Sequence, residues 1–195
     1  IDTRDNIELY YNLTSGQGHE PEMIQKMMDF VREGETYVEV GVNYGDFALQ
    51  MSRAIGPQGR IYTFEPGSNL FKCFSMSVAL NGISNIVLEN LAVSDREQEI
   101  AFFENTQASL LSGIGTQNGY NQKVMAVTLD SYFQGKESTI DIVRVDAEGS
   151  ECRILKGAQN IINLSPNVKF FIEWQAPLLL RNENYDSLQR CLSSL

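Results

Sequence analysis

Two glycines, an asparagine and a small set of carboxylates are the residues of this 195-residue chain whose types and spacing can do chemistry. In Val38-Glu39-Val40-Gly41-Val42-Asn43-Tyr44-Gly45-Asp46, Gly41 and Gly45 allow a sharp turn that brings the backbone close to a ligand. A helix beginning behind that turn points free N–H groups at the ligand's negative end. About 20 residues further on, Tyr62-Thr63-Phe64-Glu65-Pro66 sets an acid where two ribose hydroxyls can donate to it. Taken singly, these are a tight turn and a solvated strand-end carboxylate; together they point to adenosine. A third segment, Val145-Asp146-Ala147-Glu148-Gly149-Ser150-Glu151, carries three more acids. A carboxylate in a helix's first turn is worth about 0.3–1 kcal/mol through the dipole, which is explanation enough for Glu151. Asp146 and Glu148 are better candidates for touching a ligand.

These motifs need strand ends to hold them, and the hydrophobic pattern supplies them. Tyr37–Val42, Arg60–Glu65, Ile86–Val93, Ile140–Val145 and Val168–Trp174 read as short buried strands. Helical spacing covers Glu20–Phe30, with Pro21 in its first turn, and returns over Asp46–Ile55, Asn69–Asn81, Glu151–Ile162 and Asn184–Leu195. Residues 99–103 and 124–129 look strand-like, and the Gly/Asn/Gln/Ser-rich stretch 104–123 between them reads as a loop or lid. Strands alternating with helices predict an α/β fold, a doubly wound, mostly parallel sheet. In such sheets ligands sit outside the carboxyl ends of the strands, and every motif above falls at one.

The formal charge of −10 disfavours nucleic acid and anionic membrane as partners. The three cysteines, Cys73, Cys152 and Cys191, fit neither a disulfide framework nor a zinc pattern, and the single histidine, His19, rules out a His-rich metal site. A reducing, cytoplasmic setting is expected. No apolar run approaches the ~20 residues of a membrane span, and the first residues lack a signal-peptide core. The chain opens on isoleucine and is expected to be a piece of a longer one.

Three features favour S-adenosylmethionine over NAD as the adenosine-bearing cofactor. Gly41 is not followed by the G-x-G-x-x-G pattern, since Asn43 stands where a pyrophosphate needs room but can hydrogen-bond an amino-acid tail. Glu39, Glu65 and Asp146 gather acids that suit a sulfonium and an ammonium better than a diphosphate. No length remains for the second domain usual in hydride-transfer enzymes.

At this point the sequence resembles the FkbM-type methyltransferases over most of residues 20–174. The resemblance is carried by Glu39 to Gly45, Phe64-Glu65-Pro66, Asn81-Gly82, Ala92-Val93-Ser94-Asp95, Thr128-Leu129-Asp130, Val145 to Glu151, Leu155-Lys156-Gly157-Ala158 and Ile172-Glu173. It implies a class I, Rossmann-like methyltransferase fold and, most often, O-methylation of a hydroxyl on a sugar or other small natural product. On that resemblance Glu39, Gly41, Asn43 and Gly45 hold the methionine part and Glu65 the ribose. Asn90, Leu91 and Ala92 flank the adenine, and Asp146 borders the transfer site. The family more often has Asp at position 39, Ala at 42 and Lys at 144, and its fold closes with an antiparallel strand pair that this chain stops short of. The expected organisation is a helical lead-in and substrate cap over 1–36, then the cofactor-binding domain over 37–195 with a hairpin insert near 97–129.

A sugar hydroxyl is a weak nucleophile, so a base would help by roughly 10²–10⁴-fold. His19, Asp146, Glu148 and Glu173 are the candidates, with Tyr44 and Tyr120 as substrate-positioning residues. A divalent ion on Asp146 and Glu173 would be the metal-assisted variant; Glu173-Trp174-Gln175 matches it poorly, and no metal is assigned. Rival readings are a non-catalytic module of the same fold that binds a partner protein and, less well matched, an NAD-dependent oxidoreductase. Pro177-Leu178-Leu179-Leu180 would be contact surface in the first of these and a buried cap otherwise.

Overall fold

A computed structural model of the chain describes residues 20–105, 119–174 and 185–193. Five short strands, each rich in β-branched and aromatic residues, form one parallel sheet: β1 (Thr36–Val40), β2 (Arg60–Phe64), β3 (Ile86–Glu89), β7 (Ile142–Val145) and β8 (Lys169–Ile172), in the order β3-β2-β1-β7-β8. The chain winds outward from β1 to β3 and returns to lay β7 on the other side of β1. The strand order therefore reverses between β1 and β7, where such sheets open a crevice.

Both faces of this sheet are covered, which is why its strands are apolar on both sides. Tyr37, Ile61 and Ile142 pack with α1 (Pro21–Met28), α2 (Asp46–Ile55) and α3 (Ser68–Leu80) through Ile24, Met27, Phe47, Met51, Ile55 and Phe74. On the opposite face Val38, Val40, Phe64, Val143 and Val145 pack with α4 (Leu129–Phe133), α5 (Glu151–Lys156) and α6 (Gln159–Leu164) through Tyr132, Phe133, Ile154 and Ile161. The lead-in helix α1 thus contributes Ile24 and Met27 to the same core as the sheet. α7 (Tyr185–Leu192) lays Cys191 against Cys152 and Leu155 of α5.

The run 86–93, read as one strand, is two. β3 ends at Glu89, and the chain turns so that β4 (Ala92–Val93) joins a second sheet of order β4-β6-β5. In that sheet β5 (Gln98–Asn105) and β6 (Gly119–Val127) form an antiparallel hairpin that takes up both ends of the stretch expected as a loop. Leu129 begins α4 instead of ending a strand, because the Thr128 hydroxyl accepts the Ser131 N–H and caps a helix there.

The helix expected over 151–162 breaks after Lys156. Gly157 lies against the segment after β4, where a Cβ would sit 2.1 Å from the Ser94 carbonyl oxygen. α6 starts anew with Asp130 accepting the Asn160 and Ile161 N–H groups at 3.1 and 2.9 Å. The expected final helix is shorter, Tyr185–Leu192. Residues 177–180 lie outside the described residues. No helix among those described is long and apolar enough to cross a membrane.

Candidate functional site

The crevice begins at Gly41, whose φ of 82° is open to glycine at little cost. A Cβ there would fall 1.8 Å from the Asp146 carbonyl oxygen, so the ends of β1 and β7 touch backbone to backbone. Asn43 also has a left-handed backbone, φ 53°, and turns its N–H onto Glu65 Oε2 at 2.8 Å. Its side-chain Oδ1 is buried without a hydrogen-bond partner among the described residues. Gly45 caps α2, and Phe74 from α3 occupies the space its Cβ would need. The neighbouring Tyr44 is buried against Leu70.

Glu65 closes β2 and ties the first two loops together. Its carboxylate accepts the Asn43 N–H on one oxygen and the Gly67 N–H on the other, both at 2.8 Å, and it is only 3% exposed. Asn90 braces the same turn from the end of β3, donating to the Glu65 and Pro66 carbonyls at 2.7 and 3.2 Å. Leu91 packs on the core below the crevice, whereas Ala92 is drawn into the second sheet with Phe102, Val124 and Ala126. Of the three residues expected beside adenine, Ala92 is the one taken into a different core.

Arg144 organises the acids between β1 and β7. The strand register sets it opposite Glu39, and its guanidinium donates to Glu39 Oε1 at 3.2 Å and to Asp146 Oδ2 at 2.9 Å. Its planar group also lies 3.9 Å above the Phe47 ring. Glu39 accepts a further hydrogen bond from the Tyr37 hydroxyl at 3.0 Å and is sealed off, 1% exposed. Burial pushes its pKa up to about 7 despite the pull of Arg144. Asp146 is a quarter exposed and faces the opening. Burial first, then hydrogen bonding of its protonated form to Glu173 and the charges of Glu173 and Glu148, push its pKa up to about 8 against the pull of Arg144.

The turn after β7 is shaped by a carboxylate. Glu151 Oε1 accepts the N–H groups of Ala147 and Gly149, both at 3.1 Å, holding Glu148 at φ 51° and Gly149 at φ 96°. Glu151 is 2% exposed, and its Oε2 has no hydrogen-bond partner among the described residues. That is more than a helix-dipole role, and only the backbone geometry reveals it. Burial raises the pKa of both Glu148 and Glu151, with Glu173 adding repulsion to each.

The structure therefore brings Gly41, Asn43, Gly45, Glu65 and Asp146 together at the ends of β1, β2 and β7, with Glu148 in the following turn, and adds Arg144, Glu151 and Glu173; Glu39, expected to hold the methionine part, is instead buried between Tyr37 and Arg144 and acts at one remove. The Glu39–Arg144 pair had a sequence signal: opposite charges at matching positions of two strands that otherwise read as wholly buried. His19 lies outside the described residues, and nothing of the Tyr120 side chain is described. Among the described residues no group of three or more His, Cys, Asp or Glu side chains is arranged to hold a metal ion.

Comparison with known proteins agrees with this architecture. The fold resembles methyltransferase FkbM from Methylobacillus flagellatus, with a TM-score of 0.59 and 17% identity, over 94% of this chain and 46% of that one. It also resembles a SAM-dependent O-methyltransferase from Thermotoga maritima, with a TM-score of 0.53 and 12% identity, over 96% of this chain and 55% of that one. In sequence, 88 residues (45% of the chain) are 24% identical to a demethylmenaquinone methyltransferase of Geobacillus kaustophilus, covering 36% of that protein. The chain thus spans from about a third to about half the length of these relatives. The family model for the methyltransferase FkbM domain matches residues 39–188, and the chain belongs to that family.

Proposed function

We propose that this domain binds S-adenosylmethionine in the crevice between β1 and β7 and methylates a hydroxyl of a sugar or other small natural product. The observation that carries the reading is Asn43 Oδ1, a buried acceptor without a partner among the described residues. It stands in the glycine loop beside Glu65 and Asp146. A buried acceptor left unmade costs about 1–3 kcal/mol, and an ammonium group entering the loop would satisfy it. The donor set is acidic and oxygen-rich, as a ligand bearing two cationic centres requires.

When bound, S-adenosylmethionine supplies a methyl group that an in-line nucleophile can displace from sulfur. Glu65, which already accepts the Asn43 and Gly67 N–H groups, accepts the ribose hydroxyls. Asn43 Oδ1 holds the ammonium, with Gly41 and Gly45 keeping the loop close. Asn90 acts on the adenosine side by fixing the backbone at Glu65 and Pro66. Glu39 acts through Arg144, which fixes the carboxylate of Asp146. Asp146 and Glu148 face the side from which an acceptor enters, and an ionised carboxylate there takes the hydroxyl proton; His19 is kept as a third candidate base from the sequence. Holding oxygen and methyl in line can supply about 7–11 kcal/mol without further chemistry.

The test is calorimetric titration of the protein with S-adenosylmethionine, S-adenosylhomocysteine and NAD in parallel, followed by transfer of labelled methyl groups to a panel of sugars and hydroxylated natural products. Micromolar binding of the first two with no NAD signal, and label in a hydroxyl acceptor, is the expected result. NAD binding in their place would overturn the cofactor. Ligand binding with label only in amines or carbon acceptors would overturn O-methylation.

A further inference from the structure

The hairpin of the second sheet touches the turn after β2 through one side chain. Along β6, Lys123 and Met125 are exposed, with Lys123 paired to Glu99 of β5 at 2.6 Å, while Val124 and Ala126 are buried with Ala92 and Phe102. Gln122, opposite Phe102 in the ladder, is the next position on the buried side. There the small apolar core gives way to an amide.

Both ends of that amide are used. Its Oε1 accepts the Ser68 hydroxyl at 2.7 Å, and its Nε2 donates to the Pro66 carbonyl at 3.3 Å. A carbonyl can only accept, so the amide has one workable orientation, nitrogen toward Pro66 and oxygen toward Ser68. These two residues bracket Gly67, whose N–H is bound to Glu65 Oε1 at 2.8 Å. Ser68 opens α3, and Gly67, its N-cap, brings no side chain to hold that end. The Pro66 carbonyl also takes Asn90 Nδ2 at 3.2 Å. The turn carrying Glu65 is therefore gripped by two elements outside its own strand-helix unit, the end of β3 through Asn90 and β6 through Gln122. A displaced hairpin would release Pro66 and Ser68 on either side of the Gly67 N–H that aims the carboxylate.

We propose that Gln122 is a positioning residue for the cofactor, latching the hairpin onto the Pro66–Ser68 turn so that ribose binding at Glu65 and the seating of the hairpin are linked. This rests on the cofactor reading given above and deepens it. Gln122 acts through Gly67 on the direction of the Glu65 carboxylate and needs no contact with the ligand. The linkage is reciprocal: whatever free energy the latched hairpin lends to cofactor binding, bound cofactor returns to the hairpin. The hairpin is thus seated more firmly when cofactor is present than when it is absent.

The experiment combines calorimetry of S-adenosylhomocysteine binding with hydrogen exchange of the β5 and β6 amides. The proteins are the wild type, Gln122→Met, Gln122→Glu, Glu65→Ala and the Gln122→Met/Glu65→Ala double variant. Methionine keeps the bulk of the side chain and removes both hydrogen bonds, and should weaken binding roughly three- to tenfold. Glutamate keeps the acceptor for Ser68 but turns a second acceptor onto Pro66, and should weaken binding at least as much. A side chain that only filled space would tolerate both changes. In the wild type, ligand should slow exchange across the hairpin, and in Gln122→Met that slowing should be lost. With Glu65 already removed, Gln122→Met should cost nothing further. Wild-type affinity in both Gln122 variants, hairpin exchange indifferent to ligand in the wild type, or a full additional penalty in the double variant overturns the latch and leaves the cofactor reading intact. Failure of the wild-type protein to bind S-adenosylhomocysteine sinks both readings.

Discussion

Glu65 serves two masters with four lone pairs. Its oxygens already take the N–H groups of Asn43 and Gly67, so the loops after β1 and β2 are fastened before any ligand arrives. Glu65→Ala should therefore weaken S-adenosylmethionine binding by about 1.5–3 kcal/mol, roughly ten- to a hundredfold in Kd. Calorimetry measures this, and an unchanged affinity would contradict the ribose role. Glu65→Gln retains one acceptor oxygen and should fall between. At this scale the sequence was informative about where residues stand: Gly41, Asn43, Glu65 and Asp146 could be placed at strand ends from position alone. It was silent where a side chain acts on a distant partner. The spacing of Asn90 says nothing of its hold on the Glu65 and Pro66 carbonyls, and no local pattern shows Glu151 bending back onto Ala147 and Gly149.

The short helices after the hairpin are held by contacts foreign to their own sequence. Asp130, at the start of α4, caps α6 from 30 and 31 residues away, and the Asp130 N–H donates to the Gly157 carbonyl. A helix of six residues is too short to persist by itself, so this cap decides whether α6 forms. Asp130→Ala should cost about 1 kcal/mol, read as a lowered midpoint in urea with unchanged slope; Asp130→Asn, which keeps one acceptor, should recover part of it. The strands of the main sheet were legible because burial on both faces leaves continuous apolar runs. The corner at Asn90 was not, because apolar spacing continues across it while the chain changes sheets. The break at Gly157 was invisible for a related reason: helical periodicity persists on either side, and the constraint comes from the Ser94 backbone.

Across the whole molecule, the buried acids set an unusual pH response. Glu39, Asp146, Glu148 and Glu151 all bind protons more tightly folded than unfolded. Their contribution is thus fully present below the ordinary carboxylate range near about pH 4, and it is lost as pH rises through the folded values. Glu39 alone, at about 7 in place of 4.5, accounts for about 3 kcal/mol of this loss. The apparent Tm should fall between about pH 5 and about pH 8, Glu39→Gln should flatten the decline, and a Tm rising over that range would contradict the burial of these groups. Arg144 stays charged throughout and adds no slope. The doubly wound sheet itself was legible from alternating strands and helices, while the order placing β1 between β2 and β7 is a long-range fact. Glu39 and Arg144 face each other across 105 residues of chain. During translation the glycine loop and Glu65 therefore emerge early, with one wall of the crevice still unsynthesised. A product interrupted before Ile142 would keep the glycine loop and Glu65 and lack β7 and Asp146, the other wall of the proposed cofactor crevice, so it should not hold S-adenosylmethionine.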